Sequence, residues 1–193
     1  FAALQQQNIK RLMAYSWIGH TGFVMMGLAA GGDAGLRGVI VYTPIYLIMS
    51  LGAFAVIVAM RRQGRAVEQV SDLAGLARTD LGMAVWMAIF MFSMAGIPPL
   101  AGFFAKLFVF KAAVDAGLWT LAVFGVLASV VSAFYYLRIV KVMFFDEPAG
   151  ALDARPAGAS FVMATSGVFN VLFFVWPAPL VAAAQAAVAA LLG

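Results

Sequence analysis

The sequence predicts an all-α protein: a polytopic transmembrane helix bundle of about five spans, one of them discontinuous. Three observations carry that expectation. The chain is 65% hydrophobic and only 10% charged over 193 residues, with a mean hydropathy of +1.01, a balance foreign to soluble globular domains. Eight of its twelve lysines and arginines fall between long apolar runs rather than inside them. One run, from about Leu81 to Val114, is too long for a single straight span, because as one helix it would measure about 51 Å against a hydrocarbon core of about 30 Å.

Taken in order, the hydropathy places spans at about Leu12–Ala30, Val39–Met60, Leu81–Val114, Leu118–Phe145 and Ser160–Trp176, with residues 177–193 as a tail helix on the periplasmic side. The first span follows the polar segment Gln5–Arg11. Ten residues, or about 15 Å of helix, separate Lys10 from His20, which sets the imidazole near mid-membrane. Two readings of His20 stand: a proton relay, since its ordinary pKa lets it load and unload near neutral pH, or a neutral histidine hydrogen-bonded within the bundle. The second span, after a connection expected at Gly31–Gly38, carries Pro44 near its start, with Thr43, Tyr46 and Ser50 spaced to share a face. Their hydroxyls suit interhelical hydrogen bonds better than a water wire. The Arg61–Asp80 connection reads as a solvated amphipathic segment over the cytoplasmic mouth.

The third run should break near Gly96–Pro99. Pro98 and Pro99 lack backbone N–H groups, and proline is best tolerated in the first turn of a restarting helix. Freed backbone groups at membrane depth survive only where protein buries them or where they line a water-filled cavity. Lys106 lies in the second half, nine residues and about 14 Å from the end of the run at Asp115. A lysine near the midplane costs about 3 kcal/mol on insertion scales, so its use in function is the first hypothesis. Lys111, half as far from the border, suits snorkelling and is a secondary candidate. In the fourth span Ser129, Ser132 and Tyr136 fall on one stripe that suits a polar interior, and Arg138 and Lys141 sit at headgroup level. After the fifth span, Leu180–Leu192 is mostly alanine and suits a short helix at the interface or against a partner.

The distribution of basic residues orients the bundle. Lys10, Arg11, Arg61, Arg62, Arg65, Arg78, Arg155, Arg138 and Lys141 fall on one side, against Arg37 alone on the other once Lys106 and Lys111 are set aside. This is a strong positive-inside signal, which expects Gly193 to face away from the cytoplasm. The net charge of +4 belongs to these loops and not to a nucleic-acid surface. With no cysteine and a lone His20, the chain has no means of building a thiolate site, an iron–sulfur cluster or a zinc site. No Walker motif, GxGxxG or Ser/His/Asp grouping occurs. The chain opens on Phe1 and a polar segment rather than a basic n-region, and residues 1–193 read as one transmembrane domain, the C-terminal part of a longer protein.

Three stretches together carry a family resemblance: Gln7-Asn-Ile-Lys-Arg-Leu-Met-Ala-Tyr-Ser16 with Ile18-Gly-His20, Ser93-Met-Ala-Gly-Ile-Pro-Pro-Leu-Ala-Gly-Phe-Phe-Ala-Lys106, and Tyr135-Tyr-Leu-Arg138. Over roughly Gln5 to Pro148 the chain resembles the C-terminal part of the subunit N family of bacterial NADH-quinone oxidoreductase (respiratory complex I), antiporter-like membrane subunits. The resemblance implies a proton-translocating subunit of the inner (plasma) membrane, surrounded by other membrane-arm subunits and lipid. It implies that the lysine matching Lys106 lies on the proton path. The residues themselves add His20 as a group that would pass protons towards it, with Ser50, Tyr46, Ser132, Tyr136 and Lys111 as secondary polar-axis candidates. It further implies that this chain binds no cofactor, while NADH, FMN, iron–sulfur clusters and quinone serve other subunits, and that an N-terminal half with its own broken helix precedes it. One departure is Trp17, where a small serine-like residue is expected and a bulky ring would repack the surroundings of His20. The proline–lysine stretch alone is shared with Mrp-type sodium/proton antiporters and membrane-bound hydrogenases, and a non-conducting structural subunit is the third alternative.

Overall fold

Asn8 opens the first long helix as its cap: its side-chain oxygen accepts the Arg11 N–H at 3.1 Å, one of the donors that every helix start leaves without an internal partner. In the computed structural model, which describes residues 2–192, α1 (Ile9–Ala30) runs to Gly31 and α2 (Gly32–Ala59) begins at the next residue. Gly31 and Gly32 have φ of +65° and +56°, a region open to glycine at little cost, so the chain reverses without a loop. The connection expected over Gly31–Gly38 is therefore corrected, since residues 32–38 are the first turns of α2. That helix is the centre of the bundle, touched by α1, by α4 (Leu81–Ala95), by α5 (Ala101–Asp115), by α7 (Ala157–Leu172) and by α8 (Ala178–Leu192). α2 and α6 (Trp119–Phe145) are each long and apolar enough to cross a membrane.

Helices in lipid gain little from burial as such and are held by close fit and by polar contacts. Both devices are visible. Gly52 of α2 leaves room for the Phe90 ring of α4, and Gly167 of α7 leaves room for Trp86. The core between them is rich in methionine, with Met13, Met49, Met87, Met91, Met94 and Met143 all buried, a side chain that fills irregular gaps. α6 instead turns Phe124, Val130 and Phe134 outward.

The segment expected as a solvated amphipathic stretch is instead a folded cap. A small hairpin pairs β1 (Arg61–Arg62) with β2 (Arg65–Ala66), and the Asp153 carboxylate accepts the turn's Gln63 and Gly64 N–H groups at 2.9 and 2.7 Å. A 3-10 turn at Val70–Leu73 and the short helix α3 (Leu76–Thr79) follow. Val70, Leu73 and Leu76 are buried, which fixes the segment on the bundle. Ion pairs gird it: Arg155 with Asp80, the cap of α4, Lys10 with Glu68, and Arg62 with Asp72. Hydrogen bonds from Lys10 and then from Asn8 hold the Glu68 carboxyl below its ordinary pKa.

The chain's last spanning unit also differs in its bounds from the expected Ser160–Trp176. α7 ends at Leu172 and α8 resumes at Ala178, and the two do not pack side by side, although both lie on α2. Helices of 16 and 15 residues measure about 24 and 22 Å, each short of a core of about 30 Å. They therefore follow one another along α2, and the tail, with Ala184 fully buried, is part of the bundle. Gly193, whose outward position was expected, and Phe1 lie outside the described residues.

Candidate functional site

The site is built where α4 stops. Gly96 takes φ +90°, and its N–H and that of Ile97 close the last turn of α4 on the Phe92 and Ser93 carbonyls, as helix C-termini that end on glycine commonly do. Proline at 98 and 99 denies the chain a helical continuation, and α5 starts at Ala101. The carbonyl of Ala95 is left free of helical partners and accepts from Lys106 Nζ at 2.9 Å. Lys106 Nζ also donates to Ser129 Oγ of α6 at 2.7 Å and lies 5.0 Å from the centre of the Phe23 ring. Gly96 is needed twice here, for its φ and because a Cβ would crowd the Lys106 Cδ at 3.0 Å.

Lys106 is 6% exposed, and among the described residues no carboxylate lies within ion-pair distance of it. The C-terminal end of a helix carries partial negative charge, and an aromatic face attracts a cation. These two, with one hydroxyl, take the place of a counter-ion. An ammonium has three N–H donors and two are engaged, so one remains to exchange. Thirteen residues separate Asp80 from Ser93 and thirteen separate Gly102 from Asp115. The contact between Ser93 and Gly102 is thus about 20 Å along helix from either charged end, midway along the broken run.

A second polar group sits beside it. His20 is buried and both ring nitrogens meet tyrosines: Nδ1 lies 2.6 Å from Tyr42 Oη and Nε2 lies 2.9 Å from Tyr136 Oη. Tyr136 in turn bonds the buried Ser16 hydroxyl. The Tyr46 ring stacks on the imidazole at 4.2 Å and 17°. Hydroxyls both donate and accept, so a chain running Ser16, Tyr136, His20, Tyr42 has no fixed polarity and can reverse. Phe23 stands between this chain and the lysine, edge-on to His20 at 6.1 Å. A cavity of about 590 Å³ between α1 and α6 opens onto Ser16, His20, Phe23, Ser132 and Tyr135.

The structure brings Lys106, Gly96, His20, Tyr136, Tyr46 and Ser132 to this region. Ser132 turns its hydroxyl onto the Ser129 carbonyl at 2.8 Å. Tyr46 Oη and Ser50 Oγ, one helical turn apart, are both buried without a protein partner. Thr43 is spent on the Val39 carbonyl of its own helix. Lys111 is not part of the cluster: it is exposed and pairs with Asp115 at 2.5 Å. Trp17 is 46% exposed and meets Tyr46 and Phe54 edge-on, so it reaches His20 only through Tyr46. Sequence reasoning missed Tyr42, Ser16, Ser93 and Asn170. Tyr42 is four residues before Tyr46 and Ser16 four before His20, helical spacings that signal a shared face, and Asn170 is a lone amide in an apolar run.

Comparison with known proteins supports the resemblance read from the residues. The family model described as NADH:quinone oxidoreductase/Mrp antiporter, TM matches residues 1–132. NADH-quinone oxidoreductase subunit N of Granulibacter bethesdensis is 58% identical over 195 residues, 99% of this chain and 41% of its own length. The subunit N of Parvibaculum lavamentivorans is 60% identical over 193 residues, 100% of this chain and 40% of its own length. The chain thus spans about two-fifths of the length of the curated relatives it matches. Among solved structures, a chain of respiratory complex I from Thermus thermophilus with bound aureothin superposes with a TM-score of 0.82 at 31% identity, covering 93% of this chain and 41% of that one. A chain of the Mrp complex from Dietzia sp. shares the fold, with a TM-score of 0.85 at 22% identity over 97% of this chain and 43% of that one. The chain belongs to the NADH:quinone oxidoreductase/Mrp antiporter transmembrane family.

Proposed function

We propose that this chain is the lysine-bearing part of a proton-translocating subunit in the membrane arm of a bacterial NADH-quinone oxidoreductase, moving protons through Lys106 while quinone is reduced elsewhere in the complex. The observation that carries this is a buried lysine held at a helix break by the Ala95 carbonyl and Ser129. A cation so placed is costly in a membrane unless it is used. As the ammonium it is favoured by the dipole end of α4; as the free amine it offers a lone pair to an incoming proton. His20 and its tyrosines deliver protons from the α1 side, with Phe23 interrupting the hydrogen-bonded path. The other membrane-arm subunits and lipid are its partners, the C-terminal end faces the periplasm, and redox cofactors belong to other subunits.

Lys106→Ala tests the proposal in the complete complex in sealed vesicles. Assembly should survive while proton uptake per electron falls at least ten-fold, the scale of a lost catalytic proton carrier, and normal uptake would refute the role. His20→Gln tests the relay separately. It keeps hydrogen-bonding groups for Tyr42 and Tyr136 but cannot carry a proton, so uptake should fall several-fold with assembled yield unchanged. Full uptake in that variant, with assembly lost only in His20→Leu, would leave His20 a structural role.

A further inference from the structure

Asn170 is fully buried in α7, and both ends of its amide are engaged. Nδ2 donates to the Ser166 carbonyl at 2.8 Å, and Oδ1 accepts from Ser93 Oγ at 2.7 Å. Met49 Sδ lies 2.9 Å from the same hydroxyl, but a thioether is a weak acceptor, so the proton of Ser93 goes to Asn170. That leaves the lone pairs of Ser93 Oγ facing the Gly102 N–H, which donates to it at 3.0 Å across the gap between the half-helices. α5 has no side-chain cap from its own N-cap residue; the hydroxyl of Ser93, nine residues upstream, serves as one.

The clamp lies next to the lysine in the chain on both sides. Ala95, whose carbonyl receives Lys106 Nζ, is two residues after Ser93, and Lys106 is one helical turn after Gly102. The Ser93–Gly102 contact therefore sets the separation between that carbonyl and the ammonium. Beyond Asn170 the interruption between α7 and α8 rests on the same place, with the Phe173 and Phe174 rings at 5.8 and 6.2 Å from Phe104 in the first turn of α5. We infer that Asn170 is a positioning residue for Lys106: by taking the proton of Ser93 it turns that hydroxyl onto Gly102 and fixes the lysine at the Ala95 carbonyl. This rests on the function proposed above.

The test uses the complete complex with its full-length subunit, measuring proton uptake per electron, assembled yield, and hydrogen exchange of the peptide spanning residues 97–104. Asn170→Leu keeps the side-chain volume and removes both amide bonds, and Ser93→Ala removes the bridging oxygen. Loss of one buried hydrogen bond changes an equilibrium about five-fold, so exchange in 97–104 should quicken and uptake per electron should fall by about that factor in each variant. The double variant should be no worse than Ser93→Ala, because both act through one oxygen. Asn170→Asp, whose neutral carboxyl offers the same acceptor and a donor, and Ser93→Thr, which keeps the hydroxyl, should restore uptake. An amide that merely glues α7 to α4 would lower yield without this epistasis or rescue. Should Asn170→Leu not assemble, Ser93→Ala and its threonine rescue carry the same test. Unchanged exchange in 97–104, or quickened exchange with normal uptake, overturns the proposal. Lys106→Ala measured in parallel separates the failures: if it abolishes uptake, only the coupling through Asn170 falls, and if it pumps normally, the function proposed for the lysine falls as well.

Discussion

Lys106→Arg should assemble and pump no better than Lys106→Ala. The substitution keeps the positive charge where the structure stabilises it, at the free Ala95 carbonyl, beside Ser129 and over the Phe23 ring. A guanidinium is at home against a carbonyl and an aromatic face, so the fixed electrostatics change little. What changes is chemistry: arginine does not give up its proton in proteins, whereas lysine can when it is buried. A site that needs only a static cation would accept arginine with pumping intact. A site that loads and unloads a proton would stop, and uptake per electron should fall at least ten-fold. The measurement is proton uptake per electron in sealed vesicles, normalised to assembled complex. Arginine pumping at the lysine ratio would reduce Lys106 to a structural charge.

The parts of this site legible in the sequence are those that act on the backbone. Pro98, Pro99 and Gly96 forbid a continuous helix whatever surrounds them, and Lys106, seven residues past Pro99, falls on the half-helix that restarts beyond them. The partners are a different matter. Ser16 and Tyr136 are 120 residues apart in sequence, and Ser93 and Asn170 are 77 apart. A hydroxyl in an apolar run carries no local sign of whether it bonds its own helix, as Thr43 does, or reaches another, as Ser93 does. Lys111 and Lys106 share one helix and one chemistry, and an acid at i+4 for one but not the other separates them. The reversal at Gly31 was hidden for a similar reason: Asp33 and Arg37 look like loop residues, and only the positive φ of two successive glycines lets a helix start beneath them.

Gly102→Ala should be the most damaging small substitution in the chain. Gly102 lies where the first turn of α5 passes the last full turn of α4, and its N–H reaches Ser93 Oγ at 3.0 Å. A Cβ built there would fall on the Ser93 backbone carbonyl, closer than real Cβ atoms ever come to a neighbour. The obstacle is main chain inside a hydrogen-bonded helix, which unlike the end of a flexible side chain cannot swing aside. The half-helices must separate, and with them go the cap on α5 and the distance from Lys106 to the Ala95 carbonyl. Overpacking a well-filled interior costs about 1–3 kcal/mol and occasionally more, and loss of the Gly102–Ser93 bond adds about 1 kcal/mol. The assembled yield should therefore drop sharply, and the fraction that assembles should pump poorly. Gly22→Ala is the control, since a Cβ there would meet nothing within 4 Å and alanine favours a helix over glycine by about 1 kcal/mol. Comparable yields and comparable proton uptake for the two alanine variants would show that the close approach at Gly102 is not what holds the break together.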